Sequence, residues 1–137
     1  MPNAARKVVL DASALLTVLQ REPGWERVEP HLGRAIMSAV NLAEVATVLG
    51  RRGLPNAAVV ADVCKIVSEI HPFDMEQARL VAALDEKTRQ FGLSLAARAC
   101  LALGTTTGLP VLTADAAWVK AGLDVHIELV CDSSKAA

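Results

Sequence analysis

The chain has 137 residues, with 14 Lys and Arg against 15 Asp and Glu, so its formal net charge is −1. This length fits one compact domain, expected over residues 1–131 and followed by a disordered tail at 132–137. The near-neutral charge neither marks nor excludes a nucleic-acid-binding surface. The first apolar run is too short for a signal peptide, and none reaches the ~18 residues of a membrane helix. We therefore expect a cytoplasmic protein without membrane contact.

Metal or redox motifs built on cysteine or histidine are not apparent. The three cysteines are Cys64, Cys100 and Cys131, and no pair has the short spacing of a zinc or disulfide motif. They are expected to be buried thiols in a reducing compartment. The three histidines, which are His31, His71 and His126, share no ligand spacing and are expected at the surface or at strand edges.

The first half of the chain alternates short apolar runs with helical patterns. In order, the pattern predicts a strand at residues 7–10, helices at 12–20 and 25–32, a strand at 35–37, and helices at 39–49 and 55–67. Ser38 is the predicted N-cap of the third helix, with Asn41 as a second candidate. Gly50 and Gly53 allow that helix to stop, and Pro55 suits the first turn of the next.

The second half continues the alternation. It predicts a strand at residues 69–73, helices at 75–90 and 95–103, a strand at 110–113, a helix at 115–120 and a strand at 125–130. Asp74 and Ser94 are predicted N-caps, and Pro72 marks the third strand as an edge strand. The sixth helix should end between Gly104 and Gly108. The alternation predicts an α/β fold, a three-layer α/β/α sandwich around a mainly parallel five-stranded sheet.

Two carboxylates follow predicted strands. Asp11 closes the first strand and Asp115 follows the fourth. Ligands of such sheets bind beyond the carboxyl ends of the strands, where the strand order reverses, so the two acids would face each other if these strands are neighbours. Each acid alone fits a helix cap equally well. Ser13 and Thr113 add hydroxyl groups for water, carboxylate or phosphate, or for local turn bonds.

Glu44 lies in the least polar predicted helix and has no Lys or Arg three or four residues away. If it is buried, a bound cation would relieve the cost of its charge; alternatively, it marks the solvent side of the helix. Carboxylates converging without His or Cys favour Mg²⁺ or Mn²⁺ over Zn²⁺. Such a site hydrolyses phosphodiesters, with one carboxylate available to take a proton from water.

Four segments in order resemble PIN-domain toxins of the VapC type. They are Val-Leu-Asp-Ala-Ser-Ala at 9–14, Asn-Leu-Ala-Glu-Val at 41–45, Gly-Leu-Ser-Leu-Ala-Ala-Arg-Ala-Cys-Leu-Ala-Leu-Gly at 92–104 and Val-Leu-Thr-Ala-Asp at 111–115. The resemblance runs from about residue 8 to 130. It implies strand order 3-2-1-4-5 and a Mg²⁺- or Mn²⁺-dependent endoribonuclease that cuts transfer or ribosomal RNA. It also implies a VapB-type antitoxin partner, commonly a homodimer, and catalytic and metal-binding roles for Asp11, Glu44 and Asp115.

The chain departs from that family at one position. The family pattern Ser-Leu-x-Asp-Arg places an acid where this chain has Ala97. An acid there would lie near a helix N-terminus, where negative charge is favourable, and would help to hold metal. Two explanations stay open, an engineered Asp→Ala change that spares an expression host and a natural member with weak activity.

Two other functions compete with a ribonuclease. Ala97 favours a catalytically silent RNA- or antitoxin-binding protein with the same fold. A phosphotransfer domain, either a receiver or an aspartate phosphatase, also places an Asp after a strand. Asp74 is the candidate phosphoacceptor of a receiver, but its paired acids are absent. An aspartate phosphatase needs a second Asp two residues after the first, and this chain has Ser13 at that position.

Overall fold

The computed structural model describes residues 6–130, so the tail predicted at 132–137 and Cys131 lie outside the described residues. The strands are Val8–Leu10 (β1), Ala35–Ser38 (β2), Glu69–His71 (β3), Val111–Thr113 (β4) and Ile127–Leu129 (β5). The helices are Ala12–Leu19 (α1), Trp25–Val28 (α2), Ala39–Arg51 (α3), Asn56–Ile66 (α4), Met75–Thr88 (α5), Leu95–Thr107 (α6) and Ala117–Lys120 (α7). Short 3₁₀ helices span Glu29–Arg34 and Arg89–Phe91.

All strand pairs are parallel, and the sheet order is β3-β2-β1-β4-β5. The predicted order 3-2-1-4-5 is therefore confirmed, as is the edge position of β3. Val9 of β1 pairs with Ile36 on one side and with Val111 on the other. The strand order reverses between β1 and β4, so a crevice opens where these two strands end.

The three layers follow from the alternation of side chains along the buried strands. Leu10 packs against the helices on one face, with Leu15 of α1 and Val45 of α3 in the same apolar cluster. Val9 points to the opposite face and packs with Leu101 of α6 and with Trp118 of α7. The predicted α/β/α sandwich is thus confirmed.

The second and the sixth helices differ from their predicted boundaries. The helix expected at 25–32 is split, because α2 ends at Val28 and a 3₁₀ helix that includes Pro30 follows. Helix α6 runs past Gly104, whose added Cβ would lie 2.6 Å from Val111 Cγ2. Gly104 therefore permits close helix–sheet packing, and the helix ends at Gly108, where φ is +68°.

The described helices include no membrane span, and the two described cysteines differ in burial. Across residues 6–130, no helix is both long enough and apolar enough to cross a bilayer. Cys100 is buried, as predicted, whereas Cys64 is exposed on α4. The expectation of buried cysteines is therefore wrong for Cys64.

Candidate active site

A small pocket of about 150 Å³ opens at the carboxyl ends of β1 and β4. Its lining includes the three predicted acids, Asp11, Glu44 and Asp115, together with Ser13 and Ala97. The crevice expected at the reversal of strand order therefore gathers every position that the sequence marked, except Thr113 just beneath it. A larger groove of about 470 Å³ lies elsewhere, between α1, α3 and α4, and is mostly apolar.

Asp11 lies at the bottom of the pocket, 5% exposed, as the N-cap of α1. Its Oδ1 accepts hydrogen bonds from the Ala14 N–H at 2.8 Å and from the Ser13 hydroxyl at 2.8 Å. Its Oδ2 accepts from the Thr113 hydroxyl at 2.8 Å and from Ser13 at the same distance. Asp11 therefore caps α1 and also lines the pocket, so the two roles are not alternatives.

The two hydroxyl groups also connect the strands. The Ala114 N–H donates to Ser13 Oγ at 3.0 Å, and the Asp115 N–H donates to Thr113 Oγ1 at 3.1 Å. The loop after β4 is thus tied to the start of α1 through Ser13 and Thr113, and Thr113 is fully buried. The Ala114–Ser13 and Thr113–Asp11 bonds join residues about a hundred positions apart, whereas the Asp115–Thr113 and Ser13–Asp11 bonds are local, so each hydroxyl group makes both kinds.

The environment of Asp11 changes its acidity. Burial raises the pKa of Asp11 from an ordinary 3.8 to about 6, against the opposing effects of the Ala14 N–H and the Ser13 and Thr113 hydroxyl groups. The negative charge of Glu44 raises it further. This electrostatic coupling indicates that the two carboxylates lie close enough to repel each other across the pocket.

Glu44 and Asp115 are both exposed, unlike Asp11. Of the two alternatives left open for Glu44, the solvent-side position is the one found, and the side chain still lines the pocket. Within residues 6–130 it has no hydrogen bond or ion pair, and partial desolvation raises the pKa of its carboxyl. Asp115 Oδ1 accepts the Ala117 N–H at 2.9 Å in a turn before α7, which begins two residues later than predicted.

Ala97 also lines the pocket, from the first turn of α6. Ser94 caps this helix as predicted, since its Oγ accepts the Ala97 N–H at 3.1 Å. The Ala97 methyl group is 9% exposed and packs in the apolar cluster that contains Cys100 and Trp118. The α6 side of the pocket is therefore apolar at the position where the family pattern has a carboxylate.

Asn41 is the pocket residue whose role sequence reasoning missed. It was considered as a helix cap, but Ser38 caps α3 by accepting the Val40 N–H at 3.2 Å. Asn41 is instead 1% exposed and lines the pocket. The signal was its position three residues before Glu44, which places both side chains on one face of the helix.

The remaining polar candidates lie away from the pocket. The imidazoles of His71 and His126 contact Glu69 and Glu128 on the edge strands, at 2.8 and 3.2 Å. Arg52 lines the apolar groove. The candidate phosphoacceptor is at the N-terminus of α5, where Asp74 accepts the Gln77 N–H at 3.0 Å.

One further group borders the site from below. Cys100 of α6 is fully buried, and burial, followed by the charges of Asp11 and Glu44, raises the pKa of its thiol well above the ordinary value. The thiol is therefore neutral and acts as a packing group beneath the carboxylates.

The donor set suits a hard cation. None of the described residues that line the pocket is a Lys, Arg or His, so the negative charges there have no protein counter-charge. A divalent cation bound by carboxylate oxygens would offset the burial, and the smaller repulsion from Glu44, that raise the pKa of Asp11. Across residues 6–130, however, no three acidic, His or Cys side chains already converge on one point as a metal cage. Binding would require the exposed Glu44 and Asp115 side chains to turn inward.

Comparison with solved structures supports the same fold. VapC20 of Mycobacterium tuberculosis, described as a toxin that cleaves the sarcin–ricin loop, is 18% identical; the match covers 87% of this chain and 98% of that one, with a TM-score of 0.69. DNA-bound VapBC of Salmonella typhimurium is 18% identical over 92% and 99%, with a TM-score of 0.68. FitAcB of Neisseria gonorrhoeae is 22% identical over 90% and 97%, with a TM-score of 0.63.

The sequence comparisons give one family. A search of curated proteins finds no match. The family model described as the PIN domain matches residues 8–122, which include β1, β4 and all of the acids in the pocket. The resemblance noted in the sequence motifs is thereby confirmed, and the chain has the fold of toxin–antitoxin nucleases. The chain belongs to the PIN domain family.

Proposed function

We propose that this protein is the VapC-type toxin of a toxin–antitoxin pair, a Mg²⁺- or Mn²⁺-dependent endoribonuclease whose site is incomplete at Ala97. One observation supports this most strongly: a pocket at the switch point of the sheet gathers Asp11, Glu44 and Asp115 without a cationic partner among its described residues. The family match adds the nuclease fold.

The side chains suggest a division of roles. Asp11 is held by the Ser13 and Thr113 hydroxyl groups, so it would present a fixed carboxylate to a cation. Asp115 and Glu44 would complete the oxygen ligands from the rim. A bound Mg²⁺ or Mn²⁺ would supply Lewis-acid stabilisation of the charge that develops on the phosphodiester.

Glu44 is also the best-placed proton acceptor. Its carboxyl is exposed, lines the pocket and has no hydrogen-bond partner within residues 6–130, so its oxygens are open to a proton from water. Taking a proton from an attacking water would neutralise the charge that otherwise repels Asp11. Asp11 itself is less suited to this role, because hydrogen bonds already occupy both of its oxygens.

RNA cleavage by a restored site tests the proposal. The full chain and its Ala97→Asp variant are incubated with transfer-RNA and ribosomal-RNA fragments, with Mg²⁺, with Mn²⁺ or with chelator. We expect the variant to cut RNA in a metal-dependent way and the unmodified chain to cut at least about 10-fold more slowly. The control combines Ala97→Asp with Glu44→Gln, which should abolish the gained activity. A folded Ala97→Asp variant that cuts no RNA would sink the nuclease proposal.

A catalytically silent RNA- or antitoxin-binding protein is the second candidate, and the buried Ala97 methyl group favours it. The same assay separates the two functions for the unmodified chain. Any metal-dependent cleavage by that chain identifies an active enzyme. Cleavage that appears only with Ala97→Asp identifies a silent member of a nuclease family.

A VapB-type antitoxin is the proposed protein partner. Neighbouring structures are toxin–antitoxin complexes by name, including VapBC of Salmonella typhimurium. The apolar groove between α1, α3 and α4 is our candidate for its seat, because Leu19 and Leu54 there are 41% and 50% exposed. A Leu54→Glu variant should bind the cognate antitoxin more weakly without losing its fold, as measured by calorimetry. We also propose that the protein is a cytoplasmic homodimer. Light scattering of the purified chain tests the oligomeric state.

A further inference from the structure

The carboxamide of Asn41 is the most completely buried polar side chain in the pocket lining. It is 1% exposed, and both ends of the amide are hydrogen-bonded. Its Oδ1 accepts the Ala12 N–H at 3.1 Å, and its Nδ2 donates to the Ala96 carbonyl at 3.0 Å. Burying an amide is costly unless such bonds form. Since Ser38 already caps α3, the helix itself does not require Asn41.

The two bonds reach the elements that carry the rest of the site. Ala12 directly follows Asp11, so its N–H belongs to the peptide group that joins Asp11 to α1. Ala96 directly precedes position 97 in the first turn of α6. Asn41 itself lies one turn before Glu44 on α3. A single side chain therefore links the backbone at three of the four acid positions of the family pattern.

We propose that Asn41 is a positioning residue that holds Asp11, Glu44 and position 97 at the separation needed to bind a divalent cation. This inference rests on the proposed function. Asn41 acts through the backbone of its neighbours and needs no contact with the metal or with RNA. A displacement of one ångström in such a constellation costs a large factor in affinity and rate, so the bonds that set the spacing should affect both.

Gln77 provides a matched control for a merely structural amide. It is 8% exposed, and its Nε2 donates to Thr106 Oγ1 at 3.1 Å, so it bridges α5 and α6 just as Asn41 bridges α3, α1 and α6. It does not line the pocket. Replacing either amide with leucine removes buried hydrogen bonds between elements, but only the Asn41 change affects the backbone next to the acids.

The experiment measures Mn²⁺ affinity by calorimetry in full-length chains that carry Ala97→Asp, alone and combined with Asn41→Leu, Asn41→Ser or Gln77→Leu. Thermal unfolding of each metal-free protein reports its stability, and the steady-state constants for RNA cleavage are split into kcat and KM. Asn41→Ser is included because serine keeps a polar group and fits the site if leucine prevents folding.

We expect Asn41→Leu and Asn41→Ser to weaken Mn²⁺ binding by about 10- to 100-fold and to lower kcat with little change in KM for RNA. Gln77→Leu should lower the melting temperature to a similar extent and leave the Mn²⁺ affinity within about 3-fold. If the Asn41 and Gln77 variants bind Mn²⁺ equally, the positioning role is wrong and the proposed function stands. If the Ala97→Asp chain itself neither binds Mn²⁺ nor cuts RNA, the proposed function is wrong and the Asn41 inference falls with it.

Discussion

The two sides of the pocket are built differently. On the β1–β4 side, Asp11 is buried and its oxygens accept hydrogen bonds from Ser13, Thr113 and Ala14. On the opposite side, Glu44 is exposed without a partner within residues 6–130, and Ala97 presents a methyl group. The contrast teaches that hydrogen bonds fix the Asp11 carboxylate in the fold, whereas no hydrogen bond among the described residues fixes the Glu44 carboxylate.

Asp11→Asn should have the largest effect, with opposite signs for stability and for metal binding. The folded-state pKa of about 6 lies above the ordinary 3.8, a difference of about two. At 1.36 kcal/mol per unit, ionising Asp11 costs the folded state about 3 kcal/mol. Because the folded pKa is raised, the folded state is free of this cost below pH 4, where Asp11 is protonated. The free energy of unfolding then falls as the pH rises towards and through 6. Asparagine avoids the loss.

Urea unfolding with chelator, from pH 4 to pH 8, measures this difference. The unmodified chain should become less stable across that interval, whereas Asp11→Asn should keep its stability and bind Mn²⁺ far more weakly. Equal pH slopes for the two proteins would show that Asp11 is not the buried, destabilising charge described above.

Thr113→Val tests the hydroxyl support of the buried side. Thr113 is fully buried; its hydroxyl donates to Asp11 and accepts the Asp115 N–H. Valine removes both bonds, so we expect a loss of about 1–3 kcal/mol in the free energy of unfolding at pH 8. The pKa of Asp11 should rise further, because one of the groups that lower it is gone.

Thr88→Val is the matched control for that prediction. Thr88 is also fully buried, but its hydroxyl donates to the Leu84 carbonyl of its own helix, 2.7 Å away. Its replacement should cost less and leave the pH dependence unchanged. Denaturation at pH 4 and pH 8 measures the free energy of unfolding of both variants. If both variants lose the same free energy at each pH, Thr113 has no special role.

Ser94→Ala tests the α6 side at the level of the helix. Loss of the N-cap bond to the Ala97 N–H should cost about 1 kcal/mol, as caps typically do. Asp74→Ala, which removes the equivalent cap of α5 away from the pocket, should have a similar effect. Thermal unfolding measures both losses. In the Ala97→Asp background, where α6 carries an acid, only Ser94→Ala should also weaken Mn²⁺ binding. Equal affinities of the two cap variants would show that the α6 cap does not support the site.

Glu44→Gln should have the smallest effect on stability. The side chain is exposed and has no partner within residues 6–130, so the free energy of unfolding should change by less than about 0.5 kcal/mol. Mn²⁺ affinity should nevertheless fall by about 10-fold or more, because an oxygen ligand loses its charge. A large loss of stability with unchanged Mn²⁺ affinity would reverse the roles assigned to the two sides.

Much of the architecture follows from local patterns in the sequence. Short apolar strands before Asp11 and Asp115 predicted a central parallel sheet, and the caps at Ser38, Asp74 and Ser94 all form as predicted. The order of the strands came from the family resemblance rather than from the pattern. Periodicity records which face of an element is buried, whereas neighbouring strands are chosen by packing across the whole sheet.

The candidate site was less predictable than the fold. Spacing alone marked Asp11 and Asp115, but it could not show that Thr113 bonds across the strands to Asp11 or that Ser13 accepts the Ala114 N–H. The sequence left open whether Glu44 is buried or exposed, because an apolar helix still has a solvent side. The Asn41 bridge depends on contacts between elements far apart in sequence, which a helical pattern does not contain.

The central claim is that the pocket is a divalent-metal site that lacks its fourth acid. Mn²⁺ titration of the full chain and of its Ala97→Asp variant tests this claim most directly. The added carboxylate at the α6 N-terminus should tighten Mn²⁺ binding by about 10-fold or more. Equal, negligible heats for the two folded proteins would contradict the account.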